Sequence, residues 1–443
     1  MNKLILLTAL LFLSLHSFGQ TLDRKGWFGI LALEKNDQLI IDSVAPNSTA
    51  AKLGLKKTDI LLSVNEKTLK TNRDLATVTA TLREKDAIAI QYQRNGQSLS
   101  ANTAMIAKPL FKADWCDVIY GSLPAIGCTV RTIVYKPKNK SNLPGILFVP
   151  GYNCGSIESY SSNFNGKMIE LWVKKGYAVY TVEKSGLGDS YGCKPCIDVD
   201  LQTDIELFET AFNDFTTLKF IDKNNVFIWG HSMGGIIAPI IAKGKTVKGI
   251  MVFGTVFRPW SEFLLEMHRV QKPLTDSLSY AATEDFVRLI QKVYYEFFVL
   301  KKSPAQLHEN PVYAKIVETE LEYAPGKENM WGRHWRFWQQ LDSINLAHYW
   351  QELNCNVLVL HGASDFIQCS AVEPYLIAET VNKAHPGKAV AITIPGLDHL
   401  IMNSKDFPEA VKNMNNKEYM KGNFNNKLPE ETIKWMEKVR GVM

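Results

Sequence analysis

The stretch VFIWGHSMGG, Val226–Gly235, sets an apolar, strand-like run directly ahead of Gly230-His231-Ser232-Met233-Gly234, with Gly235 and a further apolar segment behind it. A serine between glycines at a strand-to-helix junction fits a nucleophile elbow. The turn is sharp and strained, so small flanking residues are needed to push the hydroxyl into the open. A capping serine in a glycine-rich turn is the plain alternative. A serine hydroxyl is a weak nucleophile alone, so the elbow reading requires a base, an acid and an oxyanion site elsewhere in the chain.

Working outward, apolar strand-like runs recur at Thr129–Tyr135, Ile146–Val149, Ala178–Val182, Gly249–Phe253, Asn356–Leu360 and Ala389–Ile394. Helix-like stretches lie between them near Asn165–Lys175, Asp200–Asp214, Met233–Lys243 and Val372–Ala384. Buried strands alternating with helices predict a largely parallel sheet covered on both faces. Residues from about 255 to 350 interrupt the rhythm with no clear strand and many aromatics, which predicts a mostly helical cap. Trp260, Trp331, Trp335, Phe337 and Trp338 are the candidates to line an apolar pocket under it, the alternative being that they build the cap's own core.

Ligands of an open parallel sheet bind beyond the carboxyl ends of its strands, so the residues following each run are the place to look. Asp365 follows Asn356–Leu360 and is suited to hold an imidazole in one tautomer. His399 follows Ala389–Ile394, downstream of that acid, and is the candidate general base; His231, His334, His348 and His361 compete for the role, and Asp398 is an alternative acid. The loop Pro150-Gly151-Tyr152-Asn153-Cys154 follows Ile146–Val149. Two backbone N–H groups are needed for an oxyanion, and Tyr152 and Met233 are the expected donors.

The order Ser232, Asp365, His399, with the glycine loop upstream, resembles the α/β-hydrolase fold superfamily over roughly residues 115 to 440. Glu183-Lys184-Ser185-Gly186-Leu187-Gly188-Asp189-Ser190 is similar to an acidic, glycine-bearing loop in many members. Pro150 departs from the histidine many members carry before the oxyanion glycine, and a backbone donor tolerates that change. The resemblance implies a serine hydrolase, esterase-like or peptidase-like, that forms an acyl-serine without metal or cofactor. A carboxylesterase acting on small-molecule esters is the first expectation. A peptidase or amidase is the second, and a binding scaffold with a silent hydrolase domain is the third.

Residues 24–107 form a separate unit of short strands, turns and two helical pieces, ahead of the hydrolase-like part at 110–443. Gly26-Trp27-Phe28-Gly29-Ile30, Ala50-Ala51, Leu53-Gly54-Leu55 and Asp59-Ile60-Leu61 resemble a PDZ domain of the kind found in bacterial exported proteases. The resemblance implies that N–H groups around Trp27, Phe28, Gly29 and Ile30 receive a peptide C-terminus. The alternative is a module that only packs on its neighbour.

The first 20 residues carry Lys3, an apolar run from Leu4 to Leu15 and small residues near the end, the order of a signal peptide. A dozen apolar residues fall short of the roughly 20 needed to span a bilayer. No stable membrane span is therefore expected, and the protein is expected to be exported, periplasmic or secreted. Net charge is +5 over 443 residues, and no concentrated Lys/Arg block favours nucleic acid. The seven cysteines, in an exported chain, should pair in part and leave at least one thiol. For Cys193 and Cys196, in CxxC spacing, a local disulfide or buried thiols are expected rather than zinc or redox chemistry.

Overall fold

The computed structural model describes residues 22–442. The signal-peptide reading therefore falls outside the described residues. The N-terminal strands β1 (Ile30–Lys35), β2 (Gln38–Val44), β3 (Ile60–Val64), β4 (Lys67–Thr68), β5 (Ala87–Arg94) and β6 (Gln97–Ala104) make one sheet in the order β1-β2-β3-β5-β6, with β4 beside β3. Alternation drives it: Ile88, Ile90 and Tyr92 of β5 face a small core with Phe28, Leu39, Ile41 and Leu75. The helix Asn72–Thr79 starts on a capping box between Thr71 and Asp74 and lies against β1.

The second sheet contains β7 (Asp117–Ala125), β8 (Cys128–Lys136), β9 (Leu143–Val149), β10 (Ala178–Val182), β11 (Ile221–His231) and β12 (Gly249–Phe253). The insertion that follows carries only the two-residue strands β13 (Asn329–Met330) and β14 (Arg333–His334), and the sheet resumes with β15 (Asn356–Gly362) and β16 (Ala389–Ile394). Its order is β16-β15-β12-β11-β9-β10-β8-β7, parallel from β10 to β16 and antiparallel at β8 and β7. The parallel strands are buried on both faces, as their continuous apolar runs require. Helices Leu201–Thr217, Met233–Ala242 and Glu373–Ala384 close one face. Phe164–Lys174 and Lys427–Arg440 close the other, where Trp172 and Trp229 meet edge to face at 5.3 Å. The insertion between β12 and β15 is mostly helical, as expected for a cap.

The two sheets are joined by charge. Lys25 N–H donates to Asp189 Oδ1 at 2.8 Å, Arg24 Nε lies 3.1 Å from Asp189 Oδ2, and Arg131 Nη2 reaches the same oxygen at 2.9 Å. Arg83 donates to the Ser190 carbonyl at 3.1 Å and lies over the Tyr191 ring.

Two expectations need correction. Cys193 and Cys196 do not pair with each other: the disulfides are Cys128–Cys193 and Cys154–Cys196, and Cys116, Cys355 and Cys369 are free. The CxxC segment is thus stapled to two different elements, β8 and the loop after β9. Of the two readings of the insertion's aromatics, the cap-core alternative holds for most and the pocket lining for one. Phe337 and Trp338 are buried in the cap's own core, Trp331 packs edge-on against Trp338, and Trp335 lies in a separate groove. Only Trp260 reaches the pocket described next.

Candidate active site

β11 ends at His231, and Ser232 stands at φ 56°, ψ −122° before the helix Met233–Ala242 begins. A non-glycine residue persists in that region only where its surroundings over-determine it. The surrounding glycines show how. A Cβ on Gly230 would sit 2.5 Å from the Gly234 carbonyl oxygen, one on Gly234 would sit 2.0 Å from the Val149 carbonyl oxygen, and one on Gly235 would sit 2.5 Å from Thr255 Cβ. The motif's small residues are a packing requirement of the turn itself. The Ser232 side chain makes no capping bond to the helix behind it, unlike a capping serine.

His399 lies in the loop after β16 and Asp365 in the loop after β15. His399 Nδ1 donates to Asp365 Oδ2 at 2.8 Å. Asp365 is fully buried, and its other oxygen accepts from the Ile367 and Gln368 N–H groups at 3.0 and 2.8 Å. With Nδ1 carrying the proton, Nε2 is left with its lone pair. Ser232, His399, Tyr152 and Met233 all line one cavity of about 300 Å³, with Asp365 directly behind His399. Asp398, the alternative acid, is occupied within its own loop: it accepts from Leu400 N, Met402 N and Ser404 Oγ.

One residue of this arrangement, and the role of a second, escaped sequence reasoning. Gly254, just past β12, has φ +62°, and a Cβ there would lie 2.9 Å from His399 Nδ1 and 3.1 Å from Asp365 Oδ2. It leaves room for the pair; a glycine directly after a strand run was the available signal. His231 is a competing base on sequence grounds alone. It stacks on Phe253 and its Nε2 donates to the His399 carbonyl at 3.0 Å, so it holds His399 rather than competing with it. Burial, then the neighbouring His399, pull its pKa down to about 3, which keeps it neutral.

The glycine loop after β9 is held from behind. Lys184 Nζ donates to the Gly151 carbonyl at 2.5 Å and the Asn153 carbonyl at 3.2 Å, and Arg333 Nη1 donates to the Tyr152 carbonyl at 2.9 Å. Glu183 takes Ser156 Oγ at 2.5 Å and Ile157 N–H at 3.1 Å; burial pushes its carboxyl up to about 8. The Cys154–Cys196 disulfide adds a covalent tie.

Trp27, Phe28, Gly29 and Ile30 sit together at the start of β1. The carbonyls of Trp27, Phe28 and Gly29 accept from Thr49, Ala50 and Ala45 N–H groups at 3.3, 2.9 and 2.8 Å. Beyond them β1 is an edge strand with Leu31 and Leu33 exposed. The Asn72 amide occupies the Ala32 carbonyl at 3.1 Å. Among the described residues no group of His, Cys, Asp and Glu is arranged to hold a metal, and no helix is long and apolar enough to cross a membrane.

Comparison with known proteins places both parts. Residues 26–105 match the PDZ domain family, and residues 155–406, more than half of the chain, match the family described as serine aminopeptidase, S33. A stretch of 82 residues is 34% identical to the probable periplasmic serine endoprotease DegP-like of Brucella suis, covering 18% of this chain and 16% of that protein. The matching proteins of Brucella abortus and Brucella melitensis align over the same 82 residues at the same 34% identity. The chain thus spans only about a sixth of the length of the curated relatives it matches. Similar solved structures include Est1E from Butyrivibrio proteoclasticus, at 15% identity over 73% of this chain and 99% of that one with a TM-score of 0.42. The Pyrococcus furiosus esterase Pf2001 is similar at 11% identity over 75% and 95%, with a TM-score of 0.44. The chain is an α/β hydrolase with an N-terminal PDZ domain, and it belongs to the serine aminopeptidase S33 family.

Proposed function

We propose that this protein is an exported serine hydrolase that cleaves neutral, apolar carboxylic esters through an acyl-Ser232 intermediate. Ser232 Oγ attacks the ester carbonyl as His399 Nε2 takes its proton. Asp365 holds the imidazole and stabilises the imidazolium. Tyr152 and Met233 N–H groups receive the oxyanion. His399 then protonates the departing alcohol. Water, activated by the same imidazole, releases the acid and restores Ser232.

The observation that carries the substrate class is the composition of the cavity. Phe164, Ile236, Val256, Trp260, Phe263 and Leu400 supply its apolar wall, and no Asp, Glu, Lys or Arg lines it among the described residues. An aminopeptidase must receive a substrate's α-ammonium, and burying that charge without a counter-ion is costly. The lining favours a neutral ester over a free peptide N-terminus. Export is supported by the Cys128–Cys193 and Cys154–Cys196 disulfides, which persist in oxidising compartments.

A second reading, a peptidase acting on chains captured by the PDZ domain, is favoured by the family assignment and the exposed edge of β1. A panel separates the two. Aryl and alkyl esters of increasing acyl length, aminoacyl arylamides and internal peptides are offered at equal concentration. Ester turnover exceeding arylamide turnover by at least about a hundredfold in kcat/KM, equivalent to about 2.7 kcal/mol, is the expected result. Arylamide or peptide cleavage without ester turnover would reverse the assignment.

A further inference from the structure

We propose that Lys184 is a positioning residue that aims the Tyr152 N–H at the oxyanion by gripping the Gly151 carbonyl, with Arg333 holding the next peptide of the glycine loop. This inference rests on the reading of Tyr152 as an oxyanion donor.

The argument begins with the peptide unit. A trans peptide is planar, with C=O and N–H pointing in opposite directions. There are no cis peptides among the described residues. Fixing the Gly151 carbonyl therefore fixes the Tyr152 N–H, and fixing the Tyr152 carbonyl fixes the Asn153 N–H. Lys184 and Arg333 between them bind the carbonyls of Gly151, Tyr152 and Asn153. All three residues also line the cavity around Ser232. Their carbonyls are drawn to the rear, and the Tyr152 N–H has no protein acceptor among the described residues.

The grip comes from two remote places. Lys184 follows β10, in the acidic, glycine-bearing loop. Arg333 belongs to β14 of the cap. They meet over Asp204 of the helix Leu201–Thr217: Arg333 Nη2 lies 2.9 Å and Lys184 Nζ 3.9 Å from Asp204 Oδ2. All three side chains are buried, at 0%, 3% and 1% exposure for Arg333, Lys184 and Asp204. Two cations share one carboxylate, so one cation is surplus to pairing. Burial pulls the Lys184 amine down to about 7. A buried amine with no carboxylate of its own is an expensive way to fill space, and an apolar side chain would fill it better. Its contacts are instead with the two loop carbonyls. In its protonated form the amine on the Gly151 carbonyl also polarises that peptide and strengthens its N–H as a donor.

Lys184→Met keeps an unbranched side chain one atom shorter, removes the grip on Gly151 and Asn153, and leaves Arg333 and Asp204 paired one to one. The test uses the full chain, p-nitrophenyl butyrate as substrate, a fluorophosphonate probe, and thermal unfolding. The wild type should label at Ser232, with labelling lost in Ser232→Ala. Lys184→Met should lose at least about 10-fold in kcat, approaching the roughly 100- to 1,000-fold cost of losing one oxyanion donor outright. Its KM should stay within about twofold, and its Tm should not fall, as expected when a surplus buried charge is removed. A residue serving only stability would lower Tm and leave kcat unchanged well below it. If the wild type labels and Lys184→Met is folded with unchanged kcat, or shifts KM alone, the positioning role is refuted while the serine mechanism stands. If the wild type does not label, the reading beneath the proposal falls and takes it down. Should Lys184→Met not fold, Lys184→Leu carries the test at the same Gly151 carbonyl. It too must lose kcat selectively, and unchanged kcat there overturns the proposal.

Discussion

Two loops in this molecule solve the same problem by different means. At Trp27–Gly29 and at Gly151–Asn153, three successive carbonyls are tied to the rear, which turns the N–H groups of the same peptides outward. Outward N–H groups suit negative charge, and on the proposed function that charge is a peptide carboxylate in one case and an oxyanion in the other. The N-terminal loop is held by neighbouring backbone, the N–H groups of Ala45, Thr49 and Ala50. The hydrolase loop is held by two buried basic side chains from distant parts of the chain, and by the Cys154–Cys196 bond. The first is built locally and left open to an exposed edge strand. The second is complete only when the cap, the loop after β10 and the helix bearing Asp204 are all in place.

That contrast predicts how each loop breaks. Gly29 has φ +81°, and a Cβ there would lie 2.2 Å from Ser48 Cβ, in the segment that holds the loop. Gly29→Ala should therefore weaken binding of an apolar peptide with a free C-terminus by roughly 10- to 100-fold, the worth of hydrogen bonds to a charged group. Titration against the same peptide as its C-terminal amide reports the carboxylate contribution. Ester turnover should be unchanged, because nothing at Gly29 touches the second loop. Equal loss of turnover would join the two sites and erase the contrast.

A smaller effect should come from Asn72. Its amide occupies the Ala32 carbonyl, which a peptide adding to β1 would need. Asn72→Ala should tighten peptide binding by a few-fold, roughly one neutral hydrogen bond. A loss of affinity would mean that Asn72 holds the groove open rather than competing for it.

Much of the hydrolase was legible in the sequence because its signals are local. The run Val226–Trp229 ahead of Gly230 carries its own strand periodicity, and Ala178–Val182, Gly249–Phe253 and Ala389–Ile394 appear as strands over those same residues. β7 was not visible as a strand, because as an edge strand it lacks a continuous apolar run. The helix Lys427–Arg440 was likewise missed, though Trp435 and Met436 anchor it to the core. The supports of the site were hidden for a different reason. Arg333 lies 181 residues from Tyr152 and meets it only after the cap folds over. The CxxC spacing pointed to a local event, yet Cys193 and Cys196 are drawn apart by partners 65 and 42 residues away. Trp338 was a natural candidate for the pocket wall, but it packs behind Trp260 and Tyr152. Aromatics in a helical insertion must first build the insertion's own core.

The central claim is covalent chemistry at Ser232, and it has a direct test. The wild type is mixed with excess p-nitrophenyl butyrate, quenched in acid within the first turnovers, digested and analysed by mass spectrometry. A butyryl group on the peptide containing Ser232, absent from Ser232→Ala together with ester turnover, is the predicted result. Turnover that survives Ser232→Ala, or a butyryl group on any other residue, would contradict it.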